Sequence, residues 1–220
     1  MWCGVTARPV PDPLAPNPLS PVWNGRRVGL LGGSFNPAHQ AHLLVSTTAL
    51  RLLELDEVWW LVSPQNPLKP PDDMAPQAER LAGACRLAQG RRIRPTVIES
   101  ALGTRFTVDT LAALRRRFPR TRFVWLMGAD NLQQLTRWKR WEDVFRLAPV
   151  AIFARPTYSL GAMSSTAAKR FGTRRIPVER ARELAEMSPP AWTFIHLRHE
   201  PTSATAIRAG RRAHDRSSVN

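Results

Sequence analysis

The sequence lacks long apolar runs. Nowhere do about 18 consecutive apolar residues occur, so no membrane-spanning helix is expected. The first residues contain no apolar stretch of the kind that heads a secretory signal, and none is expected there. Cysteine is nearly absent. Cys3 and Cys85 stand alone, without the paired spacing of a metal site, and read as free thiols of a reducing compartment, with the cytoplasm as the default. Two phosphate-binding signatures are missing as well. The first glycine turn is not Gly-x-Gly-x-x-Gly, and no Gly-Lys-Ser/Thr follows a glycine loop. Neither a hydride transferase nor a standard phosphate-loop ATPase is favoured. No internal repeat is visible.

Acidic residues are scarce: 17 Asp+Glu oppose 32 Lys+Arg in 220 residues, for a formal net charge of +15. That excess attracts polyanions, either nucleic acid or a small phosphorylated substrate. The arginines lie in scattered clusters, such as Arg115-Arg116-Arg117 and Arg211-Arg212, and solvated faces account for them without any function. Since no one segment interleaves them with exposed aromatics, specific nucleic-acid binding is not expected. A non-catalytic nucleic-acid-binding protein is a remote alternative. Hydrophobic content of 43% suits one globular domain with a full core.

Six prolines between positions 9 and 21 make residues 1–24 read as a disordered or extended tail, since proline removes backbone donors and fixes φ. The domain proper is expected over 25–212, with a short tail at 213–220. Within it strands alternate with helices. Strands are expected at 27–31, 57–63, 95–100, 122–127, 150–153 and 192–197. Helices are expected at 41–55, 76–90, 107–118 and 131–147, with 156–190 ambiguous: a polar loop, then a helical stretch around 177–187. The pattern implies an α/β fold: a Rossmann-like, doubly wound parallel sheet covered on both faces. Such sheets bind ligands beyond the carboxyl ends of the strands, at the switch in strand order.

The most informative stretch is residues 32–42, Gly-Gly-Ser-Phe-Asn-Pro-Ala-His-Gln-Ala-His. It joins the first strand to the first helix. His39 and His42, three apart at the helix start, share one face. Unpaired N–H groups and the helix dipole favour an anion there, and Gly32 and Gly33 permit close approach of a ligand to the backbone. This is the chemistry of a polyphosphate cradle. Gly128-Ala129-Asp130 and Ser203 to Arg208 also follow expected strands, so all three segments could converge on one crevice.

The string resembles the nucleotidylyltransferase superfamily, whose pattern places His-x-Gly-His after the first strand. With Phe35 and Pro37 it is similar to the bacterial nicotinate-nucleotide adenylyltransferases. Pro64-Gln65-Asn66-Pro67 with Lys69, Gly128-Ala129-Asp130, Thr136-Arg137-Trp138, Arg155-Pro156 and Thr202-Ser203-Ala204-Thr205-Ala206-Ile207-Arg208 resemble further motifs of that family, in its order, over roughly residues 27–212. The resemblance implies adenylyl transfer from ATP to nicotinate mononucleotide, giving deamido-NAD and pyrophosphate in NAD biosynthesis, with Mg²⁺ and without a covalent enzyme intermediate. It implies that His39, His42 and Arg208 act on the ATP phosphates. Gly32, Gly33, Ser34, Phe35, Gly128, Asp130, Ser203 and Thr205 would complete the ATP site. Asn66 and Lys69 would take the acceptor phosphate, and Phe106, Thr107 and Trp138 its pyridine ring. Asp130 would contact a ribose hydroxyl or the hydrated metal. No metal-ligating cluster of the protein's own is expected. Nicotinamide mononucleotide or phosphopantetheine is the alternative acceptor. The chain departs from the family pattern at Ala41, where glycine is usual, and at Asn36, Ala204 and Lys139, the last standing where an aromatic is frequent.

Overall fold

A computed structural model describes residues 21–64, 74–154 and 159–197. Seven strands form one sheet: β1 (Arg27–Gly33), β2 (Glu57–Val62), β3 (Ile93–Thr96), β4 (Arg122–Gly128), β5 (Val150–Ala154), β6 (Arg175–Ile176) and β7 (Trp192–His196). Their order is β3-β2-β1-β4-β5-β7-β6, and every pairing is parallel. The helices are α1 (Gln40–Leu52), α2 (Gln77–Ala88), α3 (Ile98–Ala101), α4 (Thr107–Arg117), α5 (Ala129–Gln134), α6 (Trp141–Leu147), α7 (Ser159–Met163) and α8 (Thr166–Arg170), with short 3-10 turns between some of them. This is the doubly wound α/β architecture that the alternation implied.

Parallel strands must be covered on both faces, and the central strands read as apolar runs for that reason. All six residues of β2 are buried. Successive side chains alternate between faces. Trp59 therefore joins Val28, Leu30 and Trp125 on one face, under α4, α5 and α6. Trp60 joins Leu31, Val124 and Leu126 on the other, under α1 and α2. Strand order reverses between β1 and β4, which pair directly from Arg27↔Arg122 to Leu31↔Leu126. Their carboxyl ends mark the switch point.

Several expected elements differ. The strand expected at 95–100 ends at Thr96, because the Thr96 hydroxyl accepts the Ile98 N–H at 3.1 Å and turns the chain into α3. The long helix expected at 131–147 is broken. Arg140 adopts φ +47° and starts α6 afresh, leaving Trp138 and Lys139 in a non-helical corner. The helix expected around 177–187 is a 3-10 helix, Val178–Glu186.

No helix among the described residues is long and apolar enough to cross a membrane.

Candidate functional site

A cleft of about 490 Å³ opens at the carboxyl ends of β1 and β4, a volume typical of small-molecule sites. The β1 end supplies Gly32 and Gly33. A Cβ on Gly32 would lie 2.6 Å from Trp125 Cη2, so the side chain is excluded by the neighbouring strand. Beyond the glycines the chain reverses through Phe35, which sits at φ +47°. Although Phe35 borders the cleft, its side chain is only 1% exposed. It stacks on Trp60 with centroids 5.1 Å apart and supports the His42 ring at 4.6 Å.

His39 is the N-cap of α1 and His42 its third residue. The two rings lie 3.9 Å apart, centroid to centroid, and both border the cleft. The His39 backbone N–H donates to His42 Nδ1 at 3.1 Å. In the neutral ring that bond puts the proton on Nε2, which becomes a donor for an anionic oxygen. The first turn of α1 is tied to the sheet: Trp60 Nε1 donates to Ser46 Oγ at 2.7 Å, and Ser46 Oγ donates to the His42 carbonyl at 2.8 Å. The residue spacing thus yields a pinned pair of imidazoles at the positive end of the α1 dipole.

From β4, Gly128 caps α5 and Asp130 lies in its first turn. The Asp130 carboxylate folds back so closely that a Cβ on Gly128 would meet its Oδ1 at 2.2 Å. Asp130 borders the same cleft, as do Phe106, Thr107, Trp138 and Lys139. Phe106 is the N-cap of α4 and Thr107 its first residue. Phe106 and Trp138 both pack in part against the core, which holds their rings in place. The expected residues Gly32, Gly33, Ser34, Phe35, His39, His42, Asp130, Phe106, Thr107 and Trp138 therefore meet in one cleft. Gly128 stands just behind it as the cap of α5. Asn66, Lys69, Ser203, Thr205 and Arg208 lie outside the described residues.

Two residues escaped sequence reasoning. Arg80 of α2 is 4% exposed and donates to four carbonyls: Ser34 at 2.6 Å, Ser63 at 2.9 Å, Pro64 at 3.1 Å and Ala75 at 2.8 Å. It fastens the turn after β1 to the end of β2, and burial pulls its pKa down. In a chain with so many arginines nothing marked this one. Glu99 of α3 borders the cleft and is 7% exposed. Burial pushes its carboxyl up to about 7, partly offset by the hydrogen bond from Thr110. The Thr110 hydroxyl donates to Glu99 Oε1 at 2.9 Å, and the Thr104 N–H donates to the Glu99 carbonyl at 2.9 Å. Glu99 thereby braces the loop that carries Arg105 and Phe106. A glutamate between Ile98 and Ser100 at the expected end of a strand gave only a faint signal.

Comparison with known proteins is concordant. The cytidylyltransferase-like family model matches residues 30–210. A protein of Gluconobacter oxydans (strain 621H) described as a probable nicotinate-nucleotide adenylyltransferase is 52% identical over 182 residues, covering 83% of this chain and 93% of its own. A protein of Cereibacter sphaeroides (strain ATCC 17025 / ATH 2.4.3) with the same description is 53% identical, covering 83% and 96%. Among solved structures, the Plasmodium falciparum nicotinic acid mononucleotide adenylyltransferase complexed with NaAD superposes with a TM-score of 0.64 at 16% identity, covering 84% of this chain and 83% of that one. At that identity the likeness shows the fold.

Proposed function

The chain belongs to the cytidylyltransferase-like family, and on that premise we propose that it transfers the adenylyl group of ATP to nicotinate mononucleotide, releasing pyrophosphate and forming deamido-NAD. The acceptor's 5′-phosphate oxygen attacks the α-phosphorus, and the bond from that phosphorus to the pyrophosphate oxygen breaks. One observation carries the reading. A single cleft at the switch point holds both a histidine pair at a helix N-terminus and the Phe106–Thr107–Trp138 set. The relatives at about half identity with near-complete mutual coverage support it.

Phosphoryl-type transfer needs positioning and charge neutralisation more than a protein nucleophile. His42 Nε2–H donates to the α-phosphate as negative charge builds there, and His39 serves the neighbouring phosphates. Gly32, Gly33 and Ser34 let the nucleotide lie against the backbone. Asp130 takes a ribose hydroxyl or the hydrated metal. Trp138 stacks on the pyridine ring, and the start of α4 at Thr107 faces its carboxylate. Ser203, Thr205 and Arg208 would close on the triphosphate, and Asn66 and Lys69 on the acceptor phosphate.

Mg²⁺ fits this donor set only as the nucleotide's partner. Among the described residues no cluster of three or more His, Cys, Asp or Glu side chains could hold a metal. Mg²⁺ typically takes phosphate oxygens, waters and one or two carboxylates, and among the described residues Asp130 and the more buried Glu99 are the carboxyls that border the cleft. When bound, the ion neutralises phosphate charge. A cytoplasmic placement belongs to the same reading, since ATP is the donor.

The test is pyrophosphate release with ATP and, separately, nicotinate mononucleotide, nicotinamide mononucleotide and phosphopantetheine. Nicotinate mononucleotide is expected to give the highest kcat/KM, and His42→Ala to lower it about 10²–10³-fold, as loss of one preorganised donor does. Near-normal turnover by His42→Ala would defeat the assignment.

A further inference from the structure

We propose that Lys139, assisted by Arg105, makes the acceptor end of the cleft select a pyridine carboxylate over the corresponding carboxamide. The inference rests on the adenylyl-transfer reading and deepens it.

Two cations lie over the Phe106 ring. Lys139 Nζ lies 4.7 Å from its centroid and Arg105 Cζ 5.8 Å from it. Both residues border the cleft together with Thr107 and Trp138. The eleven-residue helix α4 begins at Thr107 and brings the partial positive charge of its N-terminus to the same place. Two side-chain cations and a helix N-terminus thus converge where the acceptor ring is expected.

Three carboxyls oppose them; Asp130, which borders the same cleft, is offset in formal charge by Arg137, which borders it too. Asp109 pairs with Lys139 at 3.0 Å. That bond also tethers the ammonium over the first turn of α4, where a free lysine side chain would sweep a wide volume. Burial pushes the Glu99 pKa up to about 7, so near neutral pH it is about half protonated and subtracts part of a charge. The balance stays positive. A carboxylate gains from that field, whereas a neutral carboxamide of the same shape does not.

The corner that presents Lys139 is the helix break before Arg140, at φ +47°. An unbroken helix would carry this side chain elsewhere.

Steady-state rates at saturating ATP with nicotinate and nicotinamide mononucleotides provide the test, for wild type, Lys139→Met and Lys139→Arg. Methionine keeps the apolar stem and removes the charge. Because the Lys139 side chain is 46% exposed, screening limits the effect. Lys139→Met should lower kcat/KM for nicotinate mononucleotide about three- to tenfold, mainly through KM. Its kcat/KM for nicotinamide mononucleotide and its KM for ATP should stay within about twofold. Lys139→Arg should keep the wild-type preference, and added salt should shrink the difference between wild type and Lys139→Met. Equal losses with both acceptors, or an equal loss in Lys139→Arg, would overturn the selecting role and leave only packing. A wild type that adenylylates neither mononucleotide would instead defeat the underlying reading of the activity.

Discussion

Replacing Glu99 by glutamine should change how the stability of the fold responds to pH. Burial raises the carboxyl from 4.5 to about 7 in the folded protein. The folded chain therefore keeps a proton that the unfolded chain releases between those values. Stability from this group is complete below the unfolded pKa, declines as pH rises through the window, and is lost above the folded pKa. A separation of roughly 2.5 units corresponds to about 3 kcal/mol. Glu99→Gln keeps the shape and the acceptor for the Thr110 hydroxyl, 2.9 Å away, and cannot ionise. Urea unfolding of both proteins at pH 5 and pH 8 isolates the effect, because every other titrating group is common to the two. The stability difference, wild type minus variant, should fall by about 2–3 kcal/mol from pH 5 to pH 8, part of the effect being already lost at pH 5. A difference that is the same at both pH values would refute the reasoning, since a buried carboxyl without a raised pKa would leave no such trace.

Other outcomes follow from the cleft's supports. Arg80→Met strips four carbonyls of a charged donor and should cost about 3–5 kcal/mol, read as a fall in Tm of about 10 °C. Since Ser34 loses its anchor, the KM for ATP should rise more than the KM for the acceptor. Gly32→Ala places a methyl 2.6 Å from Trp125 Cη2 and should destabilise by about 1–3 kcal/mol by overpacking, measured by chemical denaturation. Gly128→Ala meets the Asp130 carboxylate instead, at 2.2 Å. It should therefore impair turnover more than stability, which kinetics and a melting curve on one preparation would separate.

The parts of the fold that were legible in the sequence are those set by short-range patterns. The run Val28 to Leu31, the glycines after it and the apolar face of α1 specify strand, turn and helix within some 25 residues. The His39–His42 pair follows from that alone, because helical spacing puts residues three apart on one face. β4 with Gly128 and Asp130 was readable for the same reason. Where a single hydrogen bond or one dihedral decides, pattern failed. Thr96 ends β3 by accepting the Ile98 N–H. Arg140 takes a left-handed backbone that its type does not advertise.

The least legible contributors are those whose function depends on segments distant in sequence. Arg80 reaches the Ser34 carbonyl across 46 positions and the Ser63 carbonyl across 17. No periodicity connects them, and an arginine on the expected helix 76–90 reads as solvent-facing. Its burial arises because α2 packs over β2 and β3, which aims the side chain at the loose ends of β1 and β2. A carbonyl cluster there would otherwise lack donors, and buried carbonyls demand them. The same logic applies to Lys139. A helix pattern over 131–147 assigns it a place on a helix surface, and only the break before Arg140 brings it over Phe106. The proposed phosphate cradle was therefore written locally, whereas the features that brace it and would tune its acceptor end depend on tertiary packing.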